Sequence, residues 1–149
     1  MGSPYVPTKN QQINLFLQAA NLKKGQLVYD LGCGDGRIVR QAAIQYQVKG
    51  VGFDVNILLL FYARLMAKLQ HLSQVDFVRQ NLLTVDLHQA DVVYIFLMPS
   101  LIKKLVAKFK QEMKKNSLLI SHGFAVEGLE DKLIRIIQQK PFPTYFYRL

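Results

Sequence analysis

Five segments rich in β-branched, aromatic and leucine residues recur along the chain, with helix-like segments between them. This alternation predicts a parallel β-sheet with helices on both faces. The segments are almost continuously apolar, which is typical of strands buried on both sides. We therefore expect an α/β fold with strands at 26–31, 48–54, 75–81, 91–98 and 117–123.

The remaining segments complete this architecture. Two further strand-like runs, 133–139 and 144–149, are joined by a proline-bearing turn and predict an antiparallel hairpin at the sheet edge. We expect one domain, in which an N-terminal segment with its leading helix (1–24) precedes the core (25–149). Helices are predicted at 9–24, 37–46, 57–69 and roughly 100–115.

Composition limits the possible partners and compartments. The 149 residues include 19 Lys and Arg against 10 acidic residues, a formal charge of +9 that favours acidic partners, anionic membranes or nucleic acid. The single cysteine, Cys33, excludes an intrachain disulfide and a cysteine-based zinc site, and we expect no metal. It also indicates a reducing, cytoplasmic location. No apolar run reaches the ~20 residues that cross a bilayer, so we expect a soluble chain.

Two of the predicted helices have unusual surfaces. The helix at 100–115 has an apolar stripe and six lysines, which favour a solvated face over a docking surface for an acidic partner. The helix at 57–69 has five consecutive apolar or aromatic residues, Leu58 to Tyr62. We expect that run to be mostly core, with some of it exposed at a membrane or partner face.

Polar residues follow the predicted strands, where a ligand of an open α/β sheet binds. The first strand ends at Asp30 and a glycine turn, the second at Asp54, and the third at Asn81. The fourth ends in the segment 97–100, and the fifth in Ser121 and His122. The polar groups should therefore meet at one edge of the sheet.

The glycine turn selects among ligands by its spacing. Its glycines are Gly32, Gly34 and Gly36, a G-x-G-x-G pattern rather than the G-x-G-x-x-G of dinucleotide-binding folds. Asp35 would repel a pyrophosphate, whereas Asp30 suits an ammonium or sulfonium. Asp54 suits the hydroxyls of a ribose. A nucleoside that carries an amino acid meets both requirements, and this predicts S-adenosylmethionine.

Some of these residues have alternative roles. Asp30 could instead cap the next helix, and Asn81 could form an Asx turn rather than bind the adenine amino group. His122 could act as a base, although a structural hydrogen bond is the commoner role of such a histidine. Cys33 is better interpreted as a small residue that fills the loop than as a nucleophile.

The motifs "VYDLGCGDGR" and "GVGFDVN" resemble those of class I S-adenosylmethionine-dependent methyltransferases. With "PYVPT", "VVYIFLMPSL" and "ISHGF", the chain resembles the small protein-lysine methyltransferases that include the enzymes acting on ATP synthase c-subunit and on adenine nucleotide translocase. The resemblance implies a Rossmann-like, mostly parallel seven-stranded sheet with a C-terminal antiparallel hairpin. It implies roles for Tyr5, Val6 and Thr8 in cofactor and substrate binding. The combined cofactor-binding prediction is Tyr5, Thr8, Asp30, Gly32, Cys33, Gly34, Asp54, Val55, Asn81 and Leu82.

The chain differs from typical members of these families in three respects. Many carry a membrane-anchoring helix just before the "PYVPT" motif, so either this chain lacks the anchor or the anchor has been removed. Many class I enzymes have an acid where this chain has Asn81. No N-P-P-Y or D-P-P-Y follows the fourth strand, which disfavours methylation of exocyclic amines in nucleic acid.

The resemblance implies methyl transfer to a lysine of a protein, and lysine must be neutral before it attacks. An apolar slot beside the positive sulfonium would lower the lysine pKa. We expect Tyr5, Phe96, Leu97, Met98 and Pro99 to form that slot, with Tyr5 orienting the amine. Alternatives are methylation of RNA or a small molecule, or a cofactor-binding interaction module with little turnover.

Overall fold

The computed structural model describes residues 4–149, so the first three residues of the expected N-terminal segment lie outside the described residues. The described part has four α-helices: α1 (Asn10–Ala20), α2 (Arg37–Tyr46), α3 (Ile57–Leu69) and α4 (Pro99–Glu112). Its strands are β1 (Leu27–Leu31), β2 (Lys49–Asp54), β3 (Val75–Arg79), β4 (Val92–Ile95), β5 (Leu118–His122), β6 (Leu133–Ile137) and β7 (Thr144–Arg148). Short 3₁₀ helices occur at Leu82–Thr84 and Glu130–Lys132.

The seven strands form one sheet in the order β3-β2-β1-β4-β5-β7-β6. The first five strands pair in parallel, while β7 pairs antiparallel with both β5 and β6. This confirms the predicted α/β class and the C-terminal hairpin, with β6 at the edge. The chain passes from β1 outward to β3 and then returns to β4, so the sheet reverses its direction of growth between β1 and β4. Ligands of open α/β sheets bind at such a point.

Two of the parallel strands, β3 and β4, end two or more residues before their predicted ends. β3 stops at Arg79 because its partner β2 ends at Asp54, the residue that pairs with Arg79. β4 stops at Ile95, whose partner on β5 is Ser121, and the chain then turns toward the proline that begins α4. Met98, the residue before that proline, is extended as such residues prefer to be, so α4 begins at Pro99.

Both faces of the sheet are covered by helices. One apolar cluster joins α1 and α2 to the sheet through residues such as Phe16 and Ile38. Another cluster joins α4 to the opposite face through Leu105 and Phe109. Side chains of β4 alternate between these clusters, since Tyr94 belongs to the first and Ile95 to the second. The strands are therefore apolar on both sides, as the sequence predicts.

Helix α3 differs from its prediction. Only Leu60, Ala63 and Ala67 are buried in it, and they pack against α2 and β3. Most of the remaining large apolar side chains, including Leu58 and Phe61, are exposed. The expectation that this run is mostly core is wrong, because only one helix stripe contacts the sheet and no element covers the other side in the described part of the chain.

The lysines of α4 are partly paired. Lys108 contacts Glu112 one helical turn later at 2.7 Å, and Lys114, just beyond the helix, contacts Asp91 at 2.6 Å. Lys103 and Lys104 are exposed, which agrees with a mainly solvated face. Across residues 4–149, each helix is too short or too polar to cross a membrane.

Candidate active site

The glycine turn between β1 and α2 is held close to β2. The amides of Gly32 and Cys33 both donate to the carbonyl of Phe53, at 2.8 and 2.9 Å. The backbone at Gly36 has φ of 77°, which favours glycine. A Cβ atom there would lie 2.5 Å from Cζ of Phe77, so the turn also requires the absence of a side chain. These contacts fix the loop at the carboxyl ends of β1 and β2.

Asp30 lies beneath this turn as a buried acid without a complete set of partners. Asp30 is 2% exposed, and its Oδ1 atom has no hydrogen-bond partner. Burial raises the pKa of the Asp30 carboxyl well above its usual value, and the charges of Asp54 and Asp35 raise it further. Asp30 does not cap α2, because Gly36 occupies the N-cap position. A cation placed against Oδ1 would satisfy this oxygen and stabilise the ionised carboxylate.

Asp54 ends β2 and is tied to the same turn. Its Oδ2 accepts the amide of Gly34 at 2.8 Å, and its Oδ1 accepts the amide of Asn56 at 3.0 Å. The Asn56 side chain in turn caps α3 by accepting the amides of Leu58 and Leu59. Each carboxylate oxygen of Asp54 accepts one hydrogen bond from an amide and can accept another. The side chain can therefore accept hydrogen bonds from a pair of hydroxyl groups.

Two adjoining cavities surround these acids. The larger, about 270 Å³, lies between the N-terminal segment, the glycine turn and the start of α3, and the smaller is about 130 Å³. Gly32, Asp54 and Val55 line both. The structure brings all ten sequence-predicted binding residues to these cavities. Tyr5, Thr8, Asp30, Cys33 and Gly34 line the larger cavity only, and Asn81 and Leu82 line the smaller.

The N-terminal segment is held over the glycine turn by hydrogen bonds to the Asp35–Arg37 ion pair. Arg37 contacts Asp35 at 2.7 Å and also donates to the carbonyl of Thr8 at 3.0 Å. The Tyr5 hydroxyl donates to Asp35 at 3.1 Å, and its ring covers Gly34. Burial would raise the pKa of Asp35, but the hydrogen bonds and charge of Arg37 outweigh it and lower this pKa. Arg37 thus offsets the negative charge of Asp35, which we expect to repel a pyrophosphate. The unpaired Asp30 is therefore the stronger indication that the ligand is a cation and not a pyrophosphate.

Replacing Arg37 with alanine should release this segment. Thr8 would lose a charge-assisted hydrogen bond and Asp35 its ion pair, together about 2–3 kcal/mol of local stability. Limited proteolysis should then cleave near Lys9 tens of times faster than in the wild type, with little change in the global unfolding midpoint. Arg79→Ala is the matched control, because Arg79 makes only an exposed contact to the Val55 carbonyl at 3.4 Å. Equal cleavage of both variants would show that Arg37 does not hold the N-terminal segment in place.

Only part of the expected acceptor slot lines the larger cavity. Phe96 and Tyr5 do so, and Tyr94 from β4 joins them. Leu97 is instead buried on the opposite face with the α4 cluster, because side chains of an extended segment alternate. Met98 and Pro99 are exposed at the start of α4. Of the five residues expected to form the slot, the structure thus brings Tyr5 and Phe96 to the larger cavity but not the other three.

Asn81 forms the Asx turn that was its alternative role. Its Oδ1 accepts the amide of Leu83 at 2.9 Å and starts the 3₁₀ helix at Leu82–Thr84. The residue also lines the smaller cavity beside Leu82, Leu101 and Lys104. The Asx turn thus fixes Asn81 at the wall of that cavity.

His122 and Cys33 are buried and have structural environments. His122 contacts the Thr144 hydroxyl at 2.8 Å and packs among Phe16, Phe96 and Phe142, and burial lowers its pKa to about 4. It does not line either cavity, which favours its structural role over that of a base. Burial raises the pKa of the Cys33 thiol, with the charge of Asp30 adding to the effect, so a thiolate nucleophile is disfavoured.

Away from the cavities, the fold gathers one set of metal-ligand atoms in the described part of the chain. Side-chain atoms of Asp86, His88 and Glu112 lie within 4.8 Å of one another. Glu112 already accepts Lys108 Nζ and the amide of Leu87, and Asp86 pairs with His88 at 2.6 Å. A cation would have to compete with these partners.

Several cavity residues are absent from the sequence-based prediction. Tyr94 lies within an apolar strand, where it cannot be distinguished from core residues. Leu59 lies in the apolar run of α3, and Ile38 in the periodic stripe of α2. Arg37 carries a recognisable signal, since it directly follows the glycine motif, but its partners Asp35 and Thr8 follow only from the folded path of the chain.

Residues 30–132 match the family described as the ANTKMT methyltransferase domain. A protein-lysine N-methyltransferase of Saccharolobus islandicus is 34% identical over 87% of this chain and 81% of its own length. The adenine nucleotide translocase lysine N-methyltransferase of Mus musculus is 33% identical over 81% of this chain. The chain spans about half the length of that mouse relative, 53%.

A solved structure extends the likeness to almost the whole fold. An RNA methyltransferase from Salinibacter ruber, in complex with S-adenosyl-L-homocysteine, superposes with a TM-score of 0.90 at 29% identity. The match covers 96% of this chain and 93% of that one. Together with Asp30, Asp54 and the glycine turn, these similarities establish that the chain belongs to the ANTKMT methyltransferase domain family of S-adenosylmethionine-dependent methyltransferases.

Proposed function

We propose that this protein transfers a methyl group from S-adenosylmethionine to the side-chain amine of a lysine in a protein. The main support for S-adenosylmethionine as the donor is Asp30, whose buried, unpaired oxygen lies at the glycine turn. The acceptor half rests on the protein-lysine methyltransferases among the relatives. The aromatic wall of Tyr5, Tyr94 and Phe96 is consistent with a lysine acceptor.

The two cavities suggest how the donor is divided between them. We assign its positively charged amino-acid portion to the larger cavity, against Asp30 and beside Thr8, with Cys33 and Gly34 forming the loop wall. Asp54, which borders both cavities, would accept the ribose hydroxyls, and Val55 would contact the nucleoside. Asn81 and Leu82 would hold the base in the smaller cavity. Each assignment follows the position and chemistry of the residue.

The chain's contribution to transfer is positioning and desolvation. When bound, S-adenosylmethionine supplies an activated methyl group that a neutral amine can accept. Tyr94 and Phe96 provide a partly apolar wall, which favours the neutral form of a lysine. Tyr5 is held by Asp35 through its hydroxyl and can still accept a hydrogen bond from the amine. Such alignment is the main catalytic requirement of a direct displacement.

Tyr5→Phe should slow transfer more than it weakens donor binding. The variant keeps the ring over Gly34 but removes the hydroxyl that contacts Asp35 and would orient the amine. We expect a five- to ten-fold lower turnover, the equivalent of about 1 kcal/mol, with donor affinity nearly unchanged. Calorimetry and single-turnover transfer measure the two effects separately, and Tyr46→Phe serves as the control. Equal losses in both would assign Tyr5 to donor binding.

RNA methylation is the second candidate. It is favoured by the Salinibacter ruber relative, which is named an RNA methyltransferase, and by the net charge of +9. A third possibility, an interaction module that binds the donor without turnover, requires the same Asp30 and Asp54 but no acceptor.

The two acceptor classes can be separated in one experiment. Methyl-labelled S-adenosylmethionine is incubated with the protein and a cell extract, and the product is treated with nuclease or protease. We expect label that resists nuclease, is released by protease and is lost with Asp54→Ala. Label released by nuclease alone would instead establish RNA as the acceptor. Donor binding without any transferred label would favour the interaction module.

A further inference from the structure

Helix α3 exposes a continuous apolar face to solvent. Leu58 is 79% exposed, Phe61 67% and Leu69 64%, and Tyr62 and Leu65 lie between them on the same side. We call these five residues the α3 apolar face. Single exposed apolar residues are common on proteins, but a contiguous strip of large ones indicates an interaction surface.

The face points directly away from the core. At 100° per residue, its members centre about 180° from the buried stripe of Leu60, Ala63 and Ala67. In the part of the chain that the structure describes, α3 packs on the sheet with that stripe alone. The exposed strip is therefore not the margin of a core contact but a separate surface of the helix.

Positive charge flanks the strip. No acidic residue occurs from 55 to 75, and Arg64 and Lys68 line an open cavity along one side of α3, with Asp76 as the acid among its lining residues. A helix with large apolar side chains on one face and cations beside them is typical of segments that lie in a bilayer interface. Anionic headgroups complement these cations.

A second copy of the chain is a poorer occupant of the face. Two copies would bring together molecules that each carry +9. Packing α3 against its copy would also place Arg64 and Lys68 near the same cations of the partner. An apolar helix face with flanking cations fits a planar anionic surface better.

The face also adjoins the donor cavity. Val55, Asn56 and Leu59 line that cavity at the start of α3, and Leu58 of the apolar face directly precedes Leu59 in the chain. On the other side of the cavity, Tyr5 and Val6 are exposed as well. A surface that contacts α3 would therefore lie beside the cavity and its N-terminal segment.

We propose that the α3 apolar face docks on the surface of an anionic lipid bilayer, with Leu58 and Phe61 entering the interface and Lys68 contacting headgroups. The docking itself does not depend on the proposed function. If lysine transfer also holds, the preferred acceptors are lysines close to a membrane plane.

The 149-residue protein is tested by co-sedimentation with vesicles of phosphatidylcholine alone or mixed with phosphatidylglycerol, without donor or acceptor. Binding should be at least ten-fold stronger on the mixed vesicles and should decrease with added salt. L58S/F61S should lower the partition coefficient by roughly ten-fold or more. The matched control, I134S/I136S, changes two exposed residues on β6 at the far end of the sheet and should bind like the wild type.

Thermal unfolding and affinity for S-adenosylhomocysteine show that the variants are folded, and both should be close to wild type. Failure of the wild type to bind mixed vesicles would overturn the proposal. Equal losses in L58S/F61S and I134S/I136S would overturn it too, since the contact would then not be specific to α3. Self-association that L58S/F61S abolishes, without vesicle binding, would identify a second copy as the occupant. None of these readouts uses methyl transfer, so they fail independently of the proposed function.

Discussion

Replacing Asp30 with asparagine is expected to weaken S-adenosylmethionine binding by a hundred-fold or more while the protein stays folded. The change keeps the shape of the side chain but removes the buried negative charge that would pair with the cationic donor. Loss of one partner of a buried charge pair costs about 3–5 kcal/mol. Isothermal titration calorimetry measures the affinity directly.

The same substitution should stabilise the protein without donor at neutral pH. Asp30 has a raised pKa in the folded state, so its ionisation opposes folding at pH values above that pKa. The penalty decreases as the pH falls through the folded-state pKa toward the ordinary value near 4. Asp30→Asn should therefore unfold at higher urea than wild type at neutral pH, and the difference should shrink in acid.

Asp91→Asn is the matched control and should behave in the opposite way. Although burial alone would raise the pKa of Asp91, hydrogen bonds from Lys114 and the Leu27 amide lower it. Its ionised form thus favours folding above the usual pKa. We expect Asp91→Asn to lose stability at neutral pH and to bind donor normally. Donor affinity that is unchanged in Asp30→Asn would refute the assigned role of Asp30.

Gly36→Ala should produce the largest loss of stability among simple substitutions in the glycine turn. The new methyl group would lie 2.5 Å from Cζ of Phe77 and 3.1 Å from Cβ of Ala63, and the residue would keep a φ of 77°. The strained backbone and overpacking together cost about 3–5 kcal/mol. Urea unfolding should show a clear decrease in midpoint, and donor binding should decrease because the loop is displaced.

Gly25→Ala separates the two causes. Gly25 has a similar φ of 84°, but among the described residues no atom lies within 4 Å of the position that its Cβ would occupy. This variant should therefore lose only the conformational part, about 1–2 kcal/mol. Truncating the obstructing ring in Gly36→Ala/Phe77→Leu should recover some of the stability relative to its own Phe77→Leu background. Equal losses at the two glycines would show that Phe77 does not restrict the turn.

Much of the fold can be predicted from the sequence because its signals are local. The apolar runs locate β1 to β5, and proline and strand composition indicate the terminal hairpin. The end of β3 cannot be read this way, since it depends on where its partner β2 ends. The exposure of α3 is missed for a similar reason, because hydropathy does not reveal which face of an apolar helix meets the sheet.

The residues of the candidate site are likewise predictable only where their sequence signals are local. Asp30, Asp54 and the glycine turn are recognisable because each directly follows a strand. The contacts of Arg37 with Asp35 and Thr8 cannot be predicted in this way, because they join distant parts of the chain through side-chain geometry. Leu97 is assigned to the wrong surface when a segment is considered as one unit, whereas alternation along the backbone separates it from Phe96.

Amino-acid analysis of the labelled acceptor would decide whether the protein methylates lysine with a donor held by Asp30. Protein labelled with methyl-S-adenosylmethionine by the wild type is hydrolysed, and the labelled residue is identified beside a parallel reaction with Asp30→Asn. We expect label in methylated lysine with the wild type and almost none with the variant. Label in nucleosides or in another amino acid, or equal labelling by Asp30→Asn, would contradict this assignment.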